Sequence, residues 1–483
     1  MTLSRRTLLG AALSAYPALR FGAVRAAEET ADVIIIGAGF SGLNAALILA
    51  GEGAKVVVLE ASRRIGGRAY TGDSIEGRPE FGASQIGPYY ARILNVCKQL
   101  GIELKSGANI NAPYAYSVDG ELISAKSWES HSRNDTVGWE RELLPQTLLG
   151  AYLGKYSEFS KVDDWLKPEA LRFDMPLGTW LREKGASEGA LRLMNEGLLL
   201  SDLQRVSLLT MLQEFERGRI LGSAGGESDK DRFETAALTS ARVAGGTSRL
   251  TEAMAEHLGD AVRLNSPVAY VGSNPSGVQV RCLDGARYSA KFAIASAPFG
   301  SLRRVTFDPP LRGNQDEAVS QMPYAGNSQV HLAIKGSPFW EQDGFDASTW
   351  TNGPLNMIRQ PIGYDGSRDR LIAIATGQKA DRLDQLAPKA RGEFVIREIE
   401  RIRPSTKGKL EVAGIHSWKQ MQYVQGCRHS FAPGQMQKFI HDMIKPHGRV
   451  HFAGEHTRRL EIGMESAMAS GERAAIEVLM RLG

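Results

Sequence analysis

Residues 33–42, VIIIGAGFSG, and the acid that closes the next apolar run, VVVLE at 56–60, decide the fold of this chain. Val33 to Ile36 is a continuous apolar run, the pattern of a parallel strand buried on both faces. It leads into Gly37-x-Gly39-x-x-Gly42 and then into the apolar helix LNAALILA. In such a turn Gly37 permits the sharp bend, Gly39 lets a pyrophosphate approach the backbone, and Gly42 lets helix and strand pack closely. The helix start, with Phe40 and Ser41, would turn its free N–H groups and positive dipole end toward the phosphates. A second strand, Lys55 to Leu59, delivers Glu60 to the place where a carboxylate holds a ribose diol. Strand, glycines, helix, strand and acid in that order predict a Rossmann-type dinucleotide site.

The stretch that follows distinguishes between dinucleotides. Arg64-Ile65-Gly66-Gly67-Arg68 comes directly after the acid, and this run resembles the flavin-containing amine oxidase superfamily. The resemblance recurs at FGASQIGP (81–88), RVAGGTSRL (242–250), SPVAYV (266–271), AIASAPFGSLRRVTFDPPL (293–311), HFAGEHT (451–457) and GMESAMASGERAA (463–475). It implies FAD. It also implies backbone approach at Gly66 and Gly67, and charge neutralisation by Arg68. A loop against the flavin would carry Gly82, Ala83 and Ser84, and Val268 would meet the adenine end through its backbone. Further contacts are implied at Ala61, Arg63, Ala297, Trp418 and Gly454, with Glu455 accepting a ribityl hydroxyl. Read from the residues alone, Arg63 and Arg64 suit a basic surface loop better than the Gly-Gly-Arg core does.

The implied architecture is α/β. It combines a discontinuous Rossmann-type FAD-binding domain (30–90, 238–300 and 415–483) with an α+β substrate domain (91–237 and 301–414). Helix-like periodicity over 138–220, as in SLLTMLQEFERG, predicts a helical cap, and VHLAIKG and RLIAIAT predict strands beneath it. LGSAGGESDKDRF, 221–233, reads as a mobile loop.

Ser4-Arg5-Arg6-Thr7-Leu8-Leu9 resembles a twin-arginine export signal. An uncharged stretch from Thr7 to Leu19 follows, and Val24-Arg25-Ala26 suits cleavage near Ala26 or Ala27, so 1–27 is expected to be removed and the protein to reach the periplasm. Those thirteen residues are too few to span a bilayer comfortably, which argues against a stable membrane anchor. Arg5, Arg6, Arg20 and Arg25 precede the cut, leaving 54 of the 58 basic residues against 54 acidic ones. A neutral body gives no electrostatic case for nucleic acid. The expected partners are a small-molecule substrate and dioxygen or a periplasmic electron carrier, with a homodimer as one candidate assembly.

The chemistry implied by the resemblance is hydride removal from a carbon beside a neutral amine to flavin N5. The iminium product is then hydrolysed, releasing a carbonyl compound and ammonia or an amine, with hydrogen peroxide formed if dioxygen is the acceptor. Two rivals remain at this stage: a flavin desaturase or dehydrogenase acting on a carbon–carbon bond, and a flavoprotein subunit without catalysis. No metal-spaced His/Cys cluster offers a different mechanism; His451 and His456 suit packed or surface roles.

The cysteines are Cys97, Cys282 and Cys427, an odd number that leaves at least one thiol unpaired. The spacing from Trp418 to Cys427 is that of the monoamine oxidases, whose aligned cysteine carries FAD through the 8α-methyl group; a free buried thiol is the alternative.

The chain departs from the family where substrate chemistry is decided. The family lysine that holds a water near flavin N5 is replaced by Val330, or by His331 if the strand slips by one, and Lys335 lies too far along. The aromatic cage is absent, with Arg428 at one position and Gly463 or Met464 at the other. Arg428 would either hold a carboxylate bidentately or pair with Glu461 or Glu465 on the closing helix.

Overall fold

A computed structural model describes residues 28–106, 113–198, 202–223 and 241–483, apart from positions 88, 364 and 458. The expected signal segment and most of the expected loop at 221–233 lie outside the described residues. The part of that loop that is described, 221–223, continues the helix Leu208–Ser223.

Val33–Ile36 forms the middle of a five-stranded, all-parallel sheet in the spatial order 450–452, 292–295, 33–36, 56–59, 262–263. Its residues are at most 5 % exposed because both faces are covered. Val33 and Ile35 face a core made with Leu43, Ala46, Met468 and Ala475 of the helices Phe40–Gly51 and Gly463–Leu482. Ile34 and Ile36 face the opposite way, onto Val271, Val278 and Val280 of a second sheet. That sheet has the order 29–30, 287–290, 277–282, 268–274, 306–308. The alternation of one strand between two cores explains why the whole run is apolar.

The helices Phe40–Gly51 and Gly463–Leu482 come into backbone contact at Gly471, where a Cβ would lie 2.2 Å from the Ser41 carbonyl oxygen. Ser41 Oγ and Ser470 Oγ are 3.0 Å apart, and Asn44 Nδ2 donates to the Met468 carbonyl at 2.8 Å. The end of the chain thereby fixes the helix that begins the dinucleotide turn.

A seven-stranded sheet runs in the order 410–417, 327–334, 370–376, 357–359, 348–351, 114–118, 121–123. VHLAIKG and RLIAIAT are adjacent antiparallel strands here. One face, with Val330, Leu332, Ala373 and Ala375, packs on Val395 and Ile399 of the helix Pro388–Ile402. Over the molecule, the helices Leu148–Tyr156, Leu177–Glu183, Glu188–Gly197 and Leu208–Ser223 form the expected helical layer. Its core contains Trp128, Trp165 and Trp180.

Candidate active site

One cavity of about 990 Å³ runs from the carboxyl ends of the parallel strands to the seven-stranded sheet. Its near end is the dinucleotide turn. Gly37 sits at φ +108°, a conformation that favours glycine, and a Cβ on Gly42 would lie 2.0 Å from the Gly37 carbonyl oxygen. Gly39 borders the cavity and a Cβ there would meet nothing within 4 Å, so its backbone is open to a bound phosphate. Gly42 itself is not on the wall; it works from behind, letting the helix start reach Gly37.

Glu60 closes the next strand with its carboxylate held in place. Oε2 accepts from the Ala38 N–H at 2.9 Å, and Oε1 accepts from the Ser62 N–H and hydroxyl at 2.9 and 2.7 Å. A carboxylate has about four lone-pair sites, so capacity for a ribose diol remains. Ala61, Arg63, Val268 and Ala297 line the same end.

Arg64 does not lie on a surface loop. Its guanidinium folds back to donate to the carbonyls of Ile65, Ala69 and Gly67 and stacks on Tyr70, 4.2 Å from the ring centroid. Burial lowers its pKa. A planar fork with five donors satisfies a tight Gly-Gly turn from inside, a role the composition of a basic run does not disclose.

The middle of the cavity is clamped by the 81–83 loop. Phe81 offers one carbonyl to two donors, Trp418 Nε1 and Gln329 Nε2, each at 2.9 Å. A Cβ on Gly82 would lie 1.9 Å from the Arg68 carbonyl, so the loop can press against Arg68 only as glycine. Gly66, Gly67, Arg68, Gly82, Ala83, Trp418, Gly454 and Glu455 all border the cavity, whereas Ser84 does not. Arg68 Nη1 donates to the Cys427 carbonyl at 2.8 Å and pairs with Glu455 at 3.4 Å; Glu455 is also 3.0 Å from Nδ1 of the buried His429.

The far end departs from the sequence expectation in three ways. On the strand Asn327–Ile334, Val330 points into the core on the opposite face of the sheet, and His331, although on the cavity side, sits behind Phe81 without bordering the cavity. Asn327 and Gln329 line the cavity instead. Side chains alternate along a strand, so a register error of one exchanges the faces. Gln329 is locked: Nε2 donates to Phe81 and to Asn327 Oδ1 at 2.8 Å, and Oε1 lies 3.0 Å from His331 Nε2. Burial drives the His331 pKa down to about 3, so this wall carries no imidazolium at neutral pH. Lys335 pairs with Glu411 at 2.6 Å on the surface.

Secondly, Arg428 borders the cavity but pairs with Glu214 of the helix Leu208–Ser223, Nη2 to Oε2 at 2.5 Å. Glu461 and Glu465, the partners anticipated from sequence, are taken by Arg217 and Arg92 respectively. Thirdly, an aromatic wall exists at the position of Gly463. Tyr90, from the segment before the helix Ala91–Gln99, lines the cavity, and its Oη lies 3.2 Å from where a Cβ at 463 would be. An aromatic side chain at 463 would compete for the space that Tyr90 takes. Burial raises the Tyr90 pKa, so it is a neutral phenol. No local pattern around Tyr90 signals this role; the glycine at 463 was the one hint, as a gap that something else must fill. Met464 borders the cavity beside it.

Cys427 is on the cavity wall, while Cys97 and Cys282 are buried elsewhere, and none of the three forms a disulfide. His451 and His456 are both fully buried, His451 at 2.8 Å from Glu477 and His456 against the Phe299 ring. Among the described residues no group of three or more His, Cys, Asp or Glu side chains is placed to hold a metal ion. No helix of the described residues is long and apolar enough to cross a membrane.

The glycine turn, the Glu60 carboxylate beside it and the long groove beyond them fit a dinucleotide-dependent oxidoreductase. The chain matches the model of the flavin containing amine oxidoreductase family over residues 40–479, and it belongs to that family. It is 28 % identical to the flavin-containing amine oxidase A of Bos taurus over 478 residues, 95 % of this chain and 86 % of that protein. It is 26 % identical to amine oxidase B of Homo sapiens over 481 residues, 94 % of this chain and 86 % of the relative. Among solved structures, cyclohexylamine oxidase from Brevibacterium oxydans superposes with a TM-score of 0.76 at 24 % identity, covering 94 % of this chain and 99 % of that one. A triple mutant of putrescine oxidase gives 0.75 at 24 % identity, covering 94 % of this chain and all of the other. The chain is an FAD-dependent amine oxidase-like enzyme, and the carbon–carbon and non-catalytic readings give way to chemistry at a C–N carbon.

Proposed function

We propose that this enzyme is exported and oxidises a small amine or amino-acid-like substrate in the cavity segment bounded by Tyr90, Gln329, Arg428 and Met464. The observation that carries this reading is the continuity of a single cavity from Glu60 to that segment. Bound FAD would supply a hydride acceptor at N5 and pass the electrons to dioxygen or a periplasmic carrier. The work of the chain is then positional. Glu60 and the Gly37–Gly42 turn hold the nucleotide, and Arg68, Glu455 and His429 form a charged brace at the inner end. Tyr90 and Met464 keep water from the substrate carbon. Release of ammonia or an amine together with hydrogen peroxide, from the purified enzyme and a panel of amines, tests this reading; flavin reduction without any nitrogen product would refute it.

The division into an FAD unit (30–90, 238–300 and 415–483) and a substrate unit (91–237 and 301–414) belongs to the same proposal. The parallel sheet, drawn from 33–36, 56–59, 262–263, 292–295 and 450–452, supports it. The strand Leu410–Ser417 pairs with Asn327–Ile334, so the last boundary is better drawn after Ser417.

Tyr90→Ala is expected to keep its flavin and raise KM about tenfold or more, since an aromatic face in a closed site contributes about 1–3 kcal/mol. Steady-state kinetics with the best amine checks this, and an unchanged KM would remove Tyr90 from the substrate wall.

A covalent cysteinyl link through Cys427 is the finer cofactor proposal, supported by the position of that residue on the cavity wall. Acid-denatured wild-type protein should stay yellow, and Cys427→Ala should release all its flavin. Free flavin from the denatured wild type would show that the thiol is unlinked. For export, mass spectrometry of protein from the periplasmic fraction should find a start near Glu28, and an Arg5→Lys/Arg6→Lys variant should remain inside the cell. Secretion of that variant at the wild-type level would reject the twin-arginine route.

A further inference from the structure

We propose that Arg428, held by Glu214, is a subsite for a carboxylate, so that the preferred substrate is an amine that also carries an acid group. This rests on the amine-oxidation reading of the cavity and names its substrate class.

The backbone of Arg428 is fixed first. Arg428 pairs with Ala325 and His429 with Tyr324 in a two-stranded ladder, directly after the cavity residue Cys427. The guanidinium is fixed next, by the 2.5 Å contact from Nη2 to Glu214. Glu214 comes from the helix Leu208–Ser223 and is absent from the cavity wall, whereas the Arg428 side chain borders the cavity and keeps 38 % exposure. Glu214 therefore engages Nη2 of a fork that has five donors, which leaves further N–H groups on a residue that borders the cavity.

The other arginines along the wall are Arg63, Arg64, Arg68 and Arg304, and Arg304 Nη1 donates to the Gln422 carbonyl at 3.3 Å. Arg68 is engaged by Glu455 and the Cys427 carbonyl, and Arg64 by three carbonyls of its own turn. Arg63 lies at the nucleotide end with Glu60 and Ala61. Arg428 directly follows Cys427 and borders the same cavity as Tyr90. A guanidinium there repels an ammonium ion and attracts a carboxylate through paired, charge-assisted hydrogen bonds. Glu214 acts as a positioning residue: it holds the fork through Nη2 in a partly buried setting.

The test uses the flavin-loaded enzyme and three non-identical probes of one shape: benzoate, benzamide and benzylamine. Binding is read as perturbation of the flavin absorption spectrum, and reduction as anaerobic bleaching. Benzoate is expected to bind at least about tenfold more tightly than benzamide, the ratio expected of one charge-assisted bidentate contact. Arg428→Gln should bring the two within about threefold, and Glu214→Gln should weaken benzoate while leaving benzamide unchanged. If Arg428→Gln does not retain flavin, Arg428→Lys takes its place, with a reduced preference for benzoate expected. Equal binding of benzoate and benzamide by the wild type, or a full benzoate preference in the arginine variant, overturns the proposal. Bleaching by benzylamine or other amines without a benzoate preference would cost only this subsite. A benzoate preference without bleaching by any amine or amino acid would keep the subsite and remove the amine-oxidation reading.

Discussion

Gly42→Ala is expected to yield folded protein that purifies with less than about a tenth of the wild-type flavin, because forcing one extra carbon into a packed contact costs about 1–3 kcal/mol or more. The contact is unusually close: the added Cβ would lie 2.0 Å from the Gly37 carbonyl oxygen and 2.6 Å from Ser296 Oγ. Ser296 Oγ is not free to retreat, since it donates to the carbonyls of Ile36 and Gly37 at 2.9 and 3.1 Å. The helix start must therefore move away from the strand end, and the phosphate-facing N–H groups move with it. The rest of that helix remains anchored on the final helix through Asn44 and Met468. Loss of flavin with a far-UV spectrum like the wild type is the expected pair of readings. Stoichiometric flavin in this variant would mean that the turn does not hold the dinucleotide.

Glu455→Ala is expected to have the second largest effect, lowering unfolding stability by about 2–3 kcal/mol and stripping most of the flavin. Glu455 receives Arg68 and His429, one from the Gly-Gly-Arg turn and one from the strand beyond Cys427. Its removal takes a shared acceptor from two side chains of which His429 is fully buried. Glu455→Gln, which keeps an acceptor without the charge, should lose less of both. Urea unfolding followed by fluorescence, with the flavin-to-protein absorbance ratio, distinguishes the cases. Equal stability of Glu455→Ala and the wild type would reduce this group to a bystander.

The nucleotide half of the site is legible in the sequence because its determinants are local and belong to the backbone. Gly37, Gly39 and Gly42 each answer a steric demand made within a few residues, and Glu60 follows from the length of one strand. The substrate half depends on distance in sequence. The partner of Arg428 lies more than two hundred residues away, on a helix whose apolar spacing reveals that it is a helix but not which acid it turns toward Arg428. Tyr90 takes the space opposite Gly463 from across the molecule. Gln329 is a matter of register: alignment on Pro338-Phe339-Trp340 points to Val330, one residue further along, and a shift of one exchanges the two faces of the sheet. Arg64, by contrast, has the composition of surface and the geometry of a turn core, a distinction that only the carbonyls around it make.

The proposed reaction at a C–N carbon places substrate where the cavity beyond the dinucleotide turn meets Tyr90, Gln329 and Arg428, and anaerobic flavin reduction measures it most directly. The purified enzyme, mixed without oxygen with a panel of amines and amino acids, should lose its flavin absorbance in a saturable, single-turnover reaction with at least one of them. Acid-bearing amines are expected to act fastest, and a carbonyl product should appear in equal amount. A flavin that stays oxidised with every nitrogen compound, but is bleached by dithionite, would contradict the account.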